Sequence, residues 1–164
     1  MLQPALPLLD GALVLGPLFV RIDLPGVPGF KARHRSRIVF PRDKSKMPFI
    51  QEYPDGDTEA YEKALAQMAR VMMRSRAPTE RPVQLLVRAL KPIPKSWTDR
   101  EHSDALAGAI LPTSKPDWDN YGKIADALKG IVWKDDSQVV DGFVIKRYAP
   151  APAMVLEVHE YVPP

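Results

Sequence analysis

Cysteine is absent from the 164-residue chain. That excludes disulfides, thiolate metal ligands and cysteine nucleophiles, and nothing argues for an oxidising compartment. Histidine is scarce: His34, His102 and His159 show no ligand spacing, and each is read as a surface or structural residue. Any metal site must use oxygen or histidine donors. Long apolar runs are also missing. The most apolar stretch, residues 1–20, lacks a basic leader and is broken by Asp10, Gly11 and prolines 4, 7 and 17, so neither a signal peptide nor a spanning helix is expected. A soluble, intracellular protein with no membrane association is the expectation. Charge of one sign is in slight excess only, a net +3, which permits a polyanionic partner without demanding one.

What is there suits one globular domain spanning residues 1–164, with 45% hydrophobic and 26% charged residues. Residues 1–17 are read as an extension ahead of the first strand. The 18 prolines punctuate connections and form no low-complexity tract. Leu18, Val20, Ile22 and Leu24 alternate with Phe19, Arg21 and Asp23, the period of a half-buried strand closed by Pro25-Gly26. The stretch "KARHRSRIVF" puts Lys31, Arg33, Arg35 and Arg37 on one side if extended. Tyr61, Ala64, Leu65, Met68 and Met72 fall at helical spacing, with acids early and arginines late to suit the helix dipole. A strand follows through Val83, Leu85, Val87 and Ala89, then a polar stretch over 96–114 that reads as partly helical or loop. "DNYGKIADALKG" predicts a short helix capped by Asp119 or Asn120 and ended by Gly130. Two closing strands, "QVVDGFVIKRY" and "AMVLEVHEY", are joined by "APAPA". The order predicts an α+β fold: a mixed, largely antiparallel sheet with two main helices.

Within this order "KPDWDN", residues 115–120, concentrates negative charge. If Asp117 to Asp119 is extended, the period of two sends both carboxylates to one side. Like charges that close repel unless a cation sits between them, and a hard divalent ion is the usual solution. Lys123 is one helical turn beyond Asp119, and Asp135-Asp136 precedes the next strand, offering a third carboxylate if that strand lies alongside. Plainer readings stand beside this one. Asp and Asn before a helix serve as caps and turns, a Lys four residues from an Asp is an ordinary surface pair, and Asp-Asp before a strand is a polar turn. A calcium loop fails because Tyr121 and Leu128 occupy its fifth and twelfth positions.

The run "KPDWDNYGKIADALKGIVWKDDSQVVDGFVIKRY" resembles the signature of the RusA family of Holliday-junction resolvases, of phage and prophage type: Lys-Pro-Asp-x-Asp-Asn-x-x-Lys, then Asp-Ala-Leu, an aromatic, Asp-Asp-x-Gln-Val and a later Lys. The likeness extends upstream through "PIPKSW", covering about residues 93–148. The resemblance implies that Asp117, Asp119 and Asp136 are catalytic carboxylates binding Mg²⁺, with Mn²⁺ as a substitute. It makes Lys123 the assisting cation and Asp135 a less certain neighbour. It also implies a homodimer acting on four-way DNA junctions in recombination and repair, in the cytoplasm of a bacterium or phage-infected host.

The chemistry is consistent with that implication. Phosphodiester hydrolysis needs an activated water and stabilised oxyanions, which carboxylate-bound Mg²⁺ provides, while Lys123 adds a positive charge near the phosphate. An acidic site repels DNA, so cations must draw the backbone in. Lys31, Arg33, Arg35 and Arg37 offer a ridge, with Lys115, Lys146 and Arg147 nearer the chemistry, although alternating cations also make an ordinary solvated face. The expected activity is a structure-selective, Mg²⁺-dependent junction endonuclease (a crossover junction endodeoxyribonuclease). The alternatives are a flap or fork endonuclease, and a non-catalytic DNA-binding protein with a structural ion.

Overall fold

The computed structural model describes residues 14–32, 35–43, 45–53 and 56–163. Six strands form: β1 (Leu18–Pro25), β2 (Arg35–Val39), β3 (Phe49–Tyr53), β4 (Val83–Pro92), β5 (Val139–Ala149) and β6 (Ala153–Glu160). They make two sheets, one of four strands in the order β1-β6-β4-β5 and a separate ribbon of β2 and β3. The helices are α1 (Gly56–Met73), α2 (Asp99–Leu106) and α3 (Trp118–Lys123), with α3 running on as a 3₁₀ turn over Ile124–Leu128. The α+β architecture is as expected. The third helix, α2, resolves the ambiguous polar stretch: Thr98 and Glu101 form a reciprocal capping box, satisfying two of the free amides at the helix start. The ribbon's second strand, β3, carried too short a pattern to be predicted.

β6 pairs antiparallel with both β1 and β4, while β4 and β5 are parallel. The two closing strands are therefore not neighbours. β4 lies between β5 and β6, and the crossover from β4 to β5 carries α2, α3 and every residue of the acidic motifs.

The core lies between one face of the large sheet and α1, α3 and the 3₁₀ turn. Val20, Ile22, Val83, Val87, Leu156 and Val158 meet Leu65, Ala69, Tyr121, Ile124 and Leu128 there, all at 3% exposure or less. Of the expected stripe of α1, Leu65 is buried and Tyr61 and Met68 pack partly buried against the core, while Ala64 and Met72 face solvent and Ala69 and Met73 complete the buried face. Residues four apart stack on one face, which puts Leu65, Ala69 and Met73 in line against the sheet. α1 stops where Arg74 turns left-handed, at φ 54°, and Arg76 folds back to donate to the Phe19 and Met72 carbonyls.

The other face of the large sheet holds a polar network instead of helices. Glu157 accepts from Arg88 Nη1 at 2.8 Å and Arg21 Nη1 at 3.1 Å, and His159 bonds the Gly16 carbonyl at 2.8 Å. Burial alone would raise the Glu157 pKa, but the bonds and charges of Arg88, His159 and Arg21 outweigh it and hold the carboxyl below its ordinary value. No helix among the described residues is long and apolar enough to cross a membrane.

Candidate active site

The acidic motif begins where the chain leaves a loop held on the sheet by two lysines. Lys91 of β4 donates to Ser114 Oγ and the Lys115 carbonyl. Lys146 of β5 donates to the Ser114 and Pro116 carbonyls, both at 2.9 Å. Burial and the neighbouring Lys146 charge lower the Lys91 pKa. Two ammonium groups thus fix the backbone just ahead of Asp117, and the Lys115–Pro116 peptide is cis.

Asp117 is the N-cap of α3, with extended dihedrals of −66° and 151°, yet its side chain makes no capping bond. Asp119 already lies inside the helix. The expected extended Asp117–Asp119 segment is therefore corrected: the helix begins at Trp118, and Asp117, not Asp119 or Asn120, occupies the cap. The cap residue's carboxylate is left for other uses, while Asp119 Oδ2 accepts from Lys123 Nζ at 2.6 Å across one helical turn. That bond, with the Lys123 charge, holds the Asp119 carboxyl below its ordinary pKa. Gly130, at φ 76°, ends the turn that follows, as its sequence position predicts.

Asp135 and Asp136 open the short turn before β5. Asp135 accepts from the Ser137 amide and from Lys129 at 2.9 Å, which hold its carboxyl well below the usual range. Asp136 Oδ1 accepts from the indole N–H of buried Trp133 at 2.9 Å, and its other oxygen is 3.7 Å from Lys129. Gln138 fixes the turn, accepting from the Lys134 and Asp135 amides and donating to the Thr79 and Arg81 carbonyls.

Trp133 and Gln138 stand in the sequence signature without an assigned role, and Lys129 was not singled out. Trp133 and Gln138 flank the Asp-Asp pair, so their spacing was the available signal. Lys129 had none, since its six- and seven-residue separation from the two acids matches no local period. Trp118, 63% exposed and lying between Asp117 and Asp119 in the chain, is a further candidate that its position marks.

The oxygen-rich donor set suits a hard divalent ion. As placed, Asp119, Asp135 and Asp136 are instead partnered by protein cations, a backbone amide and an indole, and among the described residues no three acidic or histidine side chains gather to hold a metal. Loading an ion on Asp119 would require the Lys123 ammonium to give way, a local rotamer change on the surface of a short helix.

The expected DNA-facing cations divide. Lys31 precedes β2 and pairs with Asp126 at 2.8 Å and Glu62 at 3.4 Å, contacts that raise its pKa, the Asp126 bond foremost. It is thus a tether within the fold, not a member of a ridge on the ribbon. Arg33 lies outside the described residues, as does His34, and of Arg35 only the backbone is described, paired with Tyr53. Arg37 is exposed and bonds Gln51 on the opposite strand. Lys115 is exposed, whereas Lys146 is spent on the loop carbonyls. Arg147, its neighbour in β5, points to the opposite face by strand alternation and donates to the Lys146 carbonyl.

A family model described as endodeoxyribonuclease RusA matches residues 25–159. A protein of Bacillus subtilis (strain 168), named uncharacterized protein YqaN, is 32% identical over 150 residues, covering 86% of this chain and 96% of that protein.

Proposed function

The chain belongs to the RusA endodeoxyribonuclease family, and from that premise we propose that it is a Mg²⁺-dependent endonuclease resolving four-way DNA junctions as a homodimer. One observation carries the reading: the family match runs unbroken across the crossover that bears Asp117, Asp119, Lys123 and Asp136. Bound Mg²⁺ supplies a Lewis acid and an acidified water for phosphodiester hydrolysis. Asp117, Asp119 and Asp136 would hold the ion. Trp133 and Gln138 orient the Asp-Asp turn, while Lys91 and Lys146 orient the loop before Asp117. Lys123, released from Asp119, places its charge beside the scissile phosphate. Two symmetric nicks are made together by two sites, and one chain carries one acidic cluster, so a twofold dimer presenting two sites is the expected assembly.

The test is single-turnover cleavage of an immobile four-way junction and a matched duplex, with Mg²⁺ or with chelator, beside gel-shift binding. Asp117→Asn, Asp119→Asn and Asp136→Asn should each lower junction cleavage by roughly a hundredfold or more while binding persists, because each keeps its shape but removes a charge from the ion's shell. Lys123→Ala should lower cleavage less. A turn-and-cap role predicts instead that Asn serves nearly as well as Asp. Near-normal cleavage by folded Asp117→Asn and Asp119→Asn, or a strictly monomeric mass with and without junction, would refute the reading. Cleavage of flaps and forks with junctions left intact would favour a looser branched-DNA nuclease.

A further inference from the structure

The β2–β3 ribbon breaks the pattern of the rest of the molecule. Ile38 pairs with Ile50 and Val39 with Phe49 across its strands, yet Ile38, Phe40, Met47, Phe49 and Ile50 are 64%, 74%, 84%, 53% and 69% exposed. Within the described residues the two strands make their main contacts with each other. A lone two-stranded ribbon is marginal in water; by strand alternation Ile38 and Ile50 share one of its faces and Val39 and Phe49 the other, so both faces offer apolar side chains to a partner.

Charge identifies the partner's chemistry. Leaving out Lys31, which is paired with Asp126 and Glu62, residues 33–53 contain six Lys or Arg against two acids, Asp43 and Glu52, a net +4, whereas the whole chain nets +3 and the remainder is therefore negative. Two copies of so cationic a segment would repel on close approach, which disfavours self-association through it. A polyanion that also presents apolar faces fits: cations take phosphates, and aromatic or branched side chains meet bases removed from the stack. Intact duplex hides its base faces, whereas a branch point interrupts the stack.

The ribbon's root is fixed to the candidate active site. The Lys31 amide donates to the Asn120 carbonyl of α3 at 2.9 Å, its ammonium pairs with Asp126, and Phe30 meets Tyr121 edge to face at 6.2 Å. Thr58 ties the same segment to α1 through Ala32 and Phe30.

We infer that the β2–β3 ribbon reads the branch point, its cations holding phosphates while Phe40, Phe49 and their apolar neighbours seat against unstacked bases. The inference rests on the junction-nuclease reading and adds the element that distinguishes a branch from linear DNA. Because the root is bonded to α3, engaging the branch sets where the carboxylates fall along the strand.

The experiment uses an immobile four-way junction and a matched duplex, each with 2-aminopurine at the branch-point position, in chelator so that nothing is cut. Wild-type protein should raise 2-aminopurine fluorescence on the junction and not on the duplex. Phe40→Ser with Phe49→Ser should lose that rise and roughly tenfold or more of the junction preference, in the range expected for lost base contacts, with an unchanged salt slope. Ile38→Thr with Ile50→Thr keeps strand propensity and should give a smaller loss. Arg42→Gln with Lys46→Gln should retain the rise at saturation but reduce the slope of log affinity against log salt by about 2. A full fluorescence rise with the double-serine variant overturns the inference. So does a variant that turns from dimer to monomer in light scattering as it loses junction preference, which would make the ribbon a chain–chain interface. Wild-type protein that cuts junctions without any rise refutes the ribbon's role alone; protein that neither prefers nor cuts junctions refutes the nuclease reading beneath it.

Discussion

β1 and the strands of the β2–β3 ribbon are all short and all carry isoleucine, and they end in opposite environments. Val20 and Ile22 are 3% and 0% exposed, whereas Ile38 and Ile50 are 64% and 69% exposed. Burying a side chain of this kind stabilises a fold by about 1.5–3 kcal/mol. β1 collects that gain against α1; the ribbon leaves it uncollected. The difference separates apolar residues that hold the protein together from apolar residues available to something else. It also separates the places where a substitution should harm stability from those where it should harm function.

The largest stability effect should come from the helix-covered sheet. Leu156→Ala removes a fully buried side chain, and a loss of about 2–5 kcal/mol is expected in urea unfolding. The opposite sheet face should respond to pH as well as to mutation. Glu157→Gln leaves Arg88 without its anion, costing about 1–3 kcal/mol at neutral pH. The wild-type Glu157 carboxyl sits below its ordinary value of 4.5. Its contribution is therefore complete above that value and is lost as pH falls through the lower folded one. Melts from pH 7 to pH 3 should show that acid-side loss in wild type and a shallower one in the variant; parallel curves would contradict it.

At the ribbon's root the comparison can be sharpened. A Cβ on Gly29 would fall 2.3–2.5 Å from the Tyr61 ring, so Gly29→Ala must displace the ring or the strap, at about 1–3 kcal/mol. If the root also sets the carboxylate helix, junction cleavage should fall by more than the unfolded fraction explains. The smallest stability effect belongs to the ribbon. Ile38→Thr with Ile50→Thr should change unfolding free energy by no more than ~0.5 kcal/mol. A loss matching that of Leu156→Ala would show the ribbon to be part of the core and erase the contrast.

Legibility followed the range of the interaction. The strands at 18–25 and 83–92 could be read because alternation and turn residues act within a few positions. The end of the α3 turn at Gly130 was legible for the same reason: the left-handed position favours glycine. The helix start was misplaced by two or three residues because Asp117, Asp119 and Asn120 all have capping chemistry, and local pattern does not rank them. The face of α1 was read in part, with Tyr61, Leu65 and Met68 on the core but Ala64 and Met72 in solvent, because the edge of a buried stripe depends on the surfaces packed against it. The cationic ridge failed as a unit at Lys31 for a related reason. Its partners, Glu62 and Asp126, lie 31 and 95 residues away in the chain.

By itself, then, the sequence determined the periods, the cysteine-free oxygen and nitrogen chemistry, the dense acidic signature and the concentration of positive charge over residues 31–53. These are properties of composition and near-neighbour spacing. Only the tertiary structure decided that β6 enters between β1 and β4, that Lys91 and Lys146 spend their charges on the loop before Asp117, and that Trp133 holds Asp136. It alone distinguished the buried isoleucine of β1 from the exposed isoleucines of the ribbon. The physical reason is shared: burial and long-range pairing depend on which surfaces meet, and a chain does not encode that at any fixed separation along its length.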